Sequence, residues 1–139
     1  MKLISFTVPC YNSREYMEKC VDSLLTGGDD VEIIIVNDGS SDDTLDIANA
    51  YAERFPDIVK VIDKENGGHG SGVNAGMRSA TGLYFMVVDS DDWLDSAALK
   101  DLIEVIKQHK ADNTLPDLYI TNFVYDKVSA EQKYVSSYE

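Results

Sequence analysis

Leu83-Tyr84-Phe85-Met86-Val87-Val88-Asp89-Ser90-Asp91-Asp92-Trp93 decides how the rest of the chain is read. Six apolar or aromatic residues, rich in β-formers and following Thr81-Gly82, predict a strand buried on both faces. That strand runs directly into three carboxylates within four positions. In an open parallel sheet a ligand sits in the crevice beyond the carboxyl ends of the strands, so Asp89 and Asp91 are expected beside a substrate. Two residues apart on an extended backbone, they share a side and suit one divalent cation with hard oxygen ligands. Asp92 and Asp95 have a plainer reading as caps of the following helix. Capping does not account for the whole cluster. Carboxylates about 4 Å apart repel by roughly 4 kcal/mol per pair at an effective dielectric near ~20, and a bound cation removes that repulsion.

Working outward, Leu3 to Val8 predicts a first strand that stops at Pro9, where the missing amide hydrogen breaks a ladder. Asn12, with Glu15 three residues on, predicts the N-cap of a helix carrying Tyr16, Met17, Cys20, Val21, Leu24 and Leu25 until Gly27-Gly28. Val31 to Val36 predicts a second buried strand, emptying into the polar run Asn37 to Thr44. A second helix carries Leu45, Ile47, Ala48, Tyr51, Ala52 and Phe55 up to Pro56. Ile58 to Ile62 predicts a third strand. The glycine-rich run Asn66 to Gly72 follows, then a short, small-faced helix with Val73, Gly76, Met77 and Ala80. Beyond the acidic turn, Ala98, Leu99, Leu102, Ile103 and Ile106 mark a fourth helix, and Asp117 to Val124 reads as another strand. Tyr125 to Glu139 reads as a polar hairpin or arm, and His109 as a solvated residue complementing its helix dipole. Strands alternating with single helices imply right-handed crossovers and an α/β fold, a three-layer α/β/α sandwich around a mostly parallel sheet. Strand ends at Pro9, Asn37-Asp38 and Asp89 then bring polar groups to one edge of that sheet.

At 139 residues, with 44% hydrophobic and 27% charged residues, the composition is that of one soluble globular domain. No apolar run approaches the roughly 20 residues that span a bilayer, and Met1-Lys2 leads into a strand without signal-peptide architecture, so a cytoplasmic location is expected. Twelve basic against 25 acidic residues, a formal charge of −13, argue against nucleic acid or an anionic membrane surface as a direct partner. A phosphorylated ligand remains compatible if a cation, a helix N-terminus or a local arginine reverses the field. Cys10 and Cys20 form neither a CxxC pair nor a disulfide framework and are expected as reduced, buried thiols.

Four segments in order resemble the family 2 glycosyltransferases, enzymes of GT-A fold that use nucleotide-sugar donors. They are Val8-Pro9-Cys10-Tyr11-Asn12, then Val36-Asn37-Asp38-Gly39-Ser40-Ser41-Asp42-Asp43-Thr44, the run Asn66 to Gly76, and Asp89-Ser90-Asp91-Asp92. The resemblance implies a DxD element at Asp89-Ser90-Asp91 that holds the donor diphosphate through Mn2+ or Mg2+, with Asp91 as metal ligand and Asp89 nearer the sugar and ribose. It implies that Pro9, Tyr11 and Asp38 line a uracil or other base. A carboxylate accepts from an imide N–H and tyrosine stacks on a ring, whereas Asp38 as a turn residue before Gly39 is the plainer alternative. On the base-contact reading, Asp38→Ala weakens UDP binding and leaves the melting temperature nearly unchanged. Asn12, Gly39, Ser40, Asn66, Gly67, Asn74 and Ser90 complete the implied donor-binding set, and His69 is a candidate for the sugar or phosphate against a surface loop histidine. The family pattern has Asp at Asn37 and, in many members, Arg at Val73. The second departure removes a cation from the diphosphate and leaves more of its charge to the metal.

The implied reaction is inverting transfer of a sugar, most readily from a UDP-linked donor, to a hydroxyl of a glycan or lipid-linked acceptor. The implied division is a nucleotide-sugar-binding domain over residues 1–124 and the beginning of an acceptor-side region over residues 125–139, within a longer enzyme that associates with a membrane elsewhere. An inverting enzyme needs a general base, and relatives place it well beyond the DxD element. Asp126 and Glu131 are the weak candidates here, so donor binding without acceptor glycosylation is expected of this chain. Competing readings are a non-catalytic nucleotide-sugar-binding domain of the same fold and, more distantly, an NAD-binding domain. The latter rests on Gly70-Ser71-Gly72-Val73-Asn74-Ala75, which does not follow a predicted strand as that pattern requires. A phosphoacceptor domain using Asp38 or Asp89 requires a lysine at a strand end, and none is expected there.

Overall fold

A computed structural model of the chain describes residues 1–125 and 134–136. The elements are β1 (Ile4–Cys10), α1 (Met17–Leu25), β2 (Val31–Asp38), α2 (Thr44–Arg54), β3 (Val59–Lys64), α3 (His69–Ser79), β4 (Tyr84–Val87), α4 (Ser96–Ala111), β5 (Phe123–Tyr125) and β6 (Tyr134–Ser136). They fall into two compact units, Met1–Lys107 and Gln108–Glu139.

In the first unit four parallel strands lie in the order β3-β2-β1-β4. The chain steps from β1 to β2 to β3 in one direction and then returns to the far side of β1. The strand order therefore reverses between β1 and β4, where an open α/β sheet leaves its crevice. With right-handed crossovers this reversal puts α3 on the face opposite α1 and α2. Helices α1 and α2 are neighbours, tied where the Tyr51 hydroxyl donates to Asp22 Oδ1 at 2.7 Å. Helix α3 lies on β1 and β2 through its smallest residues: a Cβ at Gly76 would stand 2.3 Å from the Thr7 side chain, and one at Gly72 would stand 3.4 Å from Pro9. Strands β1 and β2 are buried along their whole length, with Phe6, Val8, Ile33, Ile34, Ile35 and Val36 fully inaccessible.

Glu32 closes the end of the sheet away from the strand-end loops. Its buried carboxylate accepts from Ser5 Oγ at 2.8 Å, from the Thr81 N–H and hydroxyl at 2.9 Å each, and from Lys60 Nζ at 2.6 Å. Burial alone would raise this carboxyl, but its donors, Lys60 foremost, hold it down at about 2.

Several expectations are corrected. Strand β4 is not buried on both faces: as the edge strand of the described sheet it leaves Leu83 and Met86 36% and 37% exposed. Pro9 does not end β1, which continues to Cys10 with Pro9 paired in register with Val36. The Thr7 carbonyl accepts from the Val88 N–H on the β4 side, and Pro9, two residues on, turns its nitrogen to that same side, where the β4 ladder has ended. Asn12 does not cap α1. The helix starts at Met17 without a side-chain cap, and Asn12 sits at φ 48° with its side chain engaged elsewhere. Asp95 does cap α4, its Oδ1 accepting from the Ala97 and Ala98 N–H groups at 2.8 and 3.3 Å, whereas Asp92 does not.

In the second unit the predicted strand Asp117 to Val124 shrinks to β5, which pairs antiparallel with β6. His109 is not simply solvated: its Nδ1 lies 2.6 Å from the Tyr119 hydroxyl, and the two rings stack at 5.8 Å. Asp126 and Glu131 lie outside the described residues.

Candidate functional site

Because the four strands are parallel, their carboxyl ends share one edge, and the segments after β1, β2, β3 and β4 meet there. The first two are stitched into one unit. Asn12 N–H donates to Ser40 Oγ at 2.9 Å, while Asn12 Oδ1 accepts from the Ser41 N–H at 2.8 Å and the Ser41 hydroxyl at 3.3 Å. Ser13 N–H donates to Thr44 Oγ1 at 2.9 Å, and Thr44 in turn donates to Asp42. Asn37, where the family pattern has Asp, donates its amide to Asp63 Oδ1 at 2.9 Å, a position where a second carboxylate would be repelled. Tyr11 projects from this unit with 57% of its surface exposed.

Asp38 is only 4% exposed at the end of β2. Its Oδ1 accepts from Lys64 Nζ and the Gly67 N–H, both at 2.9 Å, and its Oδ2 accepts from the Gly68 N–H at 3.0 Å. Its own carbonyl takes the Asn66 side-chain amide at 3.0 Å. These contacts, the Lys64 ammonium first, hold its carboxyl below the usual range. Gly39 at φ 70° makes the turn that allows this closeness, since a Cβ there would stand 2.7 Å from the Asn66 nitrogen. Asp38 is thus the anchor of the glycine segment. An alanine substitution leaving the melting temperature unchanged does not fit these contacts. The lysine judged missing at a strand end is present as Lys64, the last residue of β3. It does not revive a phosphoacceptor at Asp38, because its ammonium is taken up by Asp38 Oδ1 and by the Glu65 carbonyl at 2.7 Å.

The glycine-rich run is not a loop up to Gly72. Gly68, at φ 92°, caps α3, which begins at His69, so Gly70 and Gly72 lie in its first turns and Asn74 on an exposed turn beyond. The dinucleotide-like pattern Gly70 to Ala75 is therefore entirely helical, without the strand-to-turn geometry that fingerprint needs. His69 at the helix start points its Nε2 to within 3.8 Å of Asp89 Oδ1, bringing the amino end of α3 beside the acidic turn.

Asp89, Asp91 and Asp92 are all exposed and offer oxygens within 4.8 Å of one another. Although Asp92 is exposed as a residue, desolvation of its carboxyl within the turn, and then the charges of Asp91 and Asp89, raise its pKa. A hard, all-oxygen donor set under mutual repulsion fits Mg2+ or Mn2+, with Asp92 joining the two acids expected from sequence. Helix α1 and the loop leading into it hold this turn: the Ser13 and Ser90 hydroxyls lie 2.8 Å apart, the Leu94 N–H donates to Ser23 Oγ at 3.0 Å, and Lys19 Nζ sits 3.6 Å from the Trp93 ring centroid. Cys10 and Cys20 are free and buried, and burial pushes both thiols up to about 12, so they stay protonated and inert. Lys64, Ser13 and, as a carboxylate of the cation site, Asp92 are site residues that sequence reasoning missed or read otherwise. Lys64 is a surface-type residue at the end of β3, Ser13 carries no motif of its own, and Asp92 reads as a helix cap.

The sequence model described as glycosyl transferase family 2 matches residues 5–135. The chain belongs to glycosyl transferase family 2. Its GT-A fold is seen in solved relatives: the chain is similar to Staphylococcus aureus TarS residues 1–349 in complex with UDP, with TM-score 0.68, 33% identity, and coverage of 79% of this chain and 33% of that one. It is also similar to the mannosyltransferase PcManGT from Pyrobaculum calidifontis in complex with GDP-Man and Mn2+, with TM-score 0.64, 25% identity, and coverage of 73% and 31%. Among curated sequences it is 43% identical over 111 residues to the uncharacterized glycosyltransferase EpsJ of Bacillus subtilis, covering 79% of this chain and 32% of the relative. The family 2 chain thus spans about a third of the length of these relatives. No helix among the described residues is long and apolar enough to cross a membrane.

Proposed function

We propose that this chain is the donor-binding portion of an inverting glycosyltransferase that moves a sugar from a UDP-linked donor to a hydroxyl of a glycan or lipid-linked acceptor. The observation that carries the reading is the meeting, at one sheet edge, of the Asp89-Asp91-Asp92 carboxylates with the amino end of α3 and the Tyr11–Asp38 surface. The exposed Tyr11 ring offers a face for the base. Asp38 Oδ2 takes one backbone donor, and a carboxylate oxygen accepts two, which leaves a lone pair for the imide N–H of uracil.

Asp91 and Asp89, with Asp92 beside them, would hold Mn2+ or Mg2+. A cation there supplies Lewis-acid stabilisation of the leaving diphosphate. The backbone N–H groups and dipole at the start of α3, next to His69, add positive potential where Val73 replaces the arginine of the family pattern. The TarS complex with UDP and the PcManGT complex with GDP-Man and Mn2+ support a nucleotide-linked donor and a divalent cation by similarity.

The test is a thermal-shift panel of UDP- and GDP-sugars with Mn2+, followed by product analysis with candidate acceptors. The expected outcome is selective stabilisation by UDP-sugars, with at most slow donor hydrolysis and no acceptor glycosylation. Stabilisation by GDP-sugars alone would replace the base assignment. Multiple-turnover transfer by this chain would place the general base within it, with Asp126 or Glu131 the first to substitute.

A further inference from the structure

Ser13 touches three of the four strand-end segments while being only 3% exposed. Its Oγ accepts from the Tyr11 N–H at 3.1 Å, its own N–H donates to Thr44 Oγ1 at 2.9 Å, and its Oγ lies 2.8 Å from Ser90 Oγ. Its carbonyl accepts from the Met17 N–H at 2.9 Å, which fixes the residue against the start of α1. The segments after β1 and β2 have other bonds to each other, through Asn12 and through the Arg14 N–H to Asp42. Their tie to the middle of the acidic turn is different. Among the described residues the other hydrogen bond to Asp89–Asp91 from α1 or its leading loop is that of the Cys20 thiol to the Asp89 carbonyl at 3.6 Å, a weak sulfur donor at long range.

We propose that Ser13 is a positioning residue, which through Ser90 sets the acidic turn at a fixed distance from the base-side surface. One nucleoside diphosphate can then engage Tyr11 and Asp38 at one end and the Asp89–Asp91 carboxylates at the other. The proposal rests on the nucleotide-donor reading above. Ser13 is buried beneath the site surface, so its effect is transmitted through Ser90. Ser90 is only half-buried and can turn to water once its partner is lost, which lets the turn drift from the base-side unit. A ligand spanning both ends loses affinity when their separation is no longer preset, because the ordering cost then falls on binding.

The experiment is calorimetry of UDP with and without Mn2+ on wild type, Ser13→Ala, Ser13→Thr, Ser90→Ala and the double Ser13→Ala/Ser90→Ala. The readout is the ratio of UDP affinity with Mn2+ to affinity without it. In each single alanine variant this ratio is expected to fall about five- to tenfold, a size typical of one lost buried hydrogen bond. The double variant is expected to fall no further than either single, since both break the same contact, and Ser13→Thr is expected to keep at least half the wild-type ratio. Equal losses with and without Mn2+, or additive losses in the double variant, overturn the proposal and leave Ser13 a purely structural serine. If Ser13→Ala does not fold, the near-isosteric Ser13→Cys, which weakens the contact to Ser90 without leaving a void, carries the same comparison. A wild-type chain that binds UDP in neither condition sinks the donor reading itself, whereas normal wild-type binding with an unchanged ratio in the variants sinks only the role of Ser13.

Discussion

Asp38→Ala is the substitution whose outcome divides two roles that the sequence alone cannot separate. In the structure the carboxylate receives Lys64 Nζ, the Gly67 N–H and the Gly68 N–H, all between 2.9 and 3.0 Å. Hydrogen bonds to a charged group contribute about 1.5–3 kcal/mol each, but they are not lost independently here. Gly67 and Gly68 are exposed and recover water when the carboxylate goes, and Lys64, whose side chain is 22% exposed, recovers part of its hydration. What remains is about one charge-assisted bond together with the freedom regained by the segment before α3, a destabilisation of about 2–3 kcal/mol. For a domain of this size that lowers the melting temperature by roughly 6–15 °C. Calorimetric melting with amide hydrogen exchange on Gly67 and Gly68 reads both effects, and faster exchange at those amides is expected alongside weaker UDP binding. A variant that melts within about 1 °C of wild type and protects both amides normally, yet has lost most of its UDP affinity, would refute the anchoring argument and make Asp38 a base contact alone.

Other outcomes follow from the same geometry. Glu32 has its folded-state pKa held at about 2, below its ordinary 4.5, so its contribution to stability is complete above about pH 4.5 and is lost as the pH falls toward 2. The Glu32-dependent part, read in denaturant unfolding as the difference between wild type and Glu32→Gln, should shrink by about 3 kcal/mol across that window. Gly76→Ala puts a Cβ 2.3 Å from the fully buried Thr7 side chain and should destabilise by about 1–3 kcal/mol in urea unfolding, while an exposed α3 position such as Asn74→Ala should change little.

The alternation of strands and helices, the parallel sheet and the convergence of Asp38 and Asp89 at one edge were all legible, because period and composition report burial directly. The errors share a cause. Six apolar residues from Leu83 to Val88 look the same in a central strand and in the edge strand β4, since composition does not say how many neighbours a strand has. Gly67 to Gly72 looks like loop, yet Gly70 and Gly72 lie in α3, whose close approach to β1 depends on Gly76, where a Cβ would stand 2.3 Å from Thr7. Asn12 has the chemistry of an N-cap but is used across two loops, and Ser13 and Lys64 act through contacts 77 and 26 residues away in sequence. Such partners are set by tertiary packing, and no local pattern announces them.

The claim that the strand-end cluster binds a nucleotide diphosphate through a divalent cation is tested most directly by titrating UDP into the chain with Mn2+ and again with excess chelator, alongside Asp91→Asn. The account predicts measurable UDP binding with Mn2+, a drop of at least about tenfold on chelation, and an equal drop in Asp91→Asn with Mn2+ present. UDP binding of equal strength in chelator, or undiminished in Asp91→Asn, would contradict it.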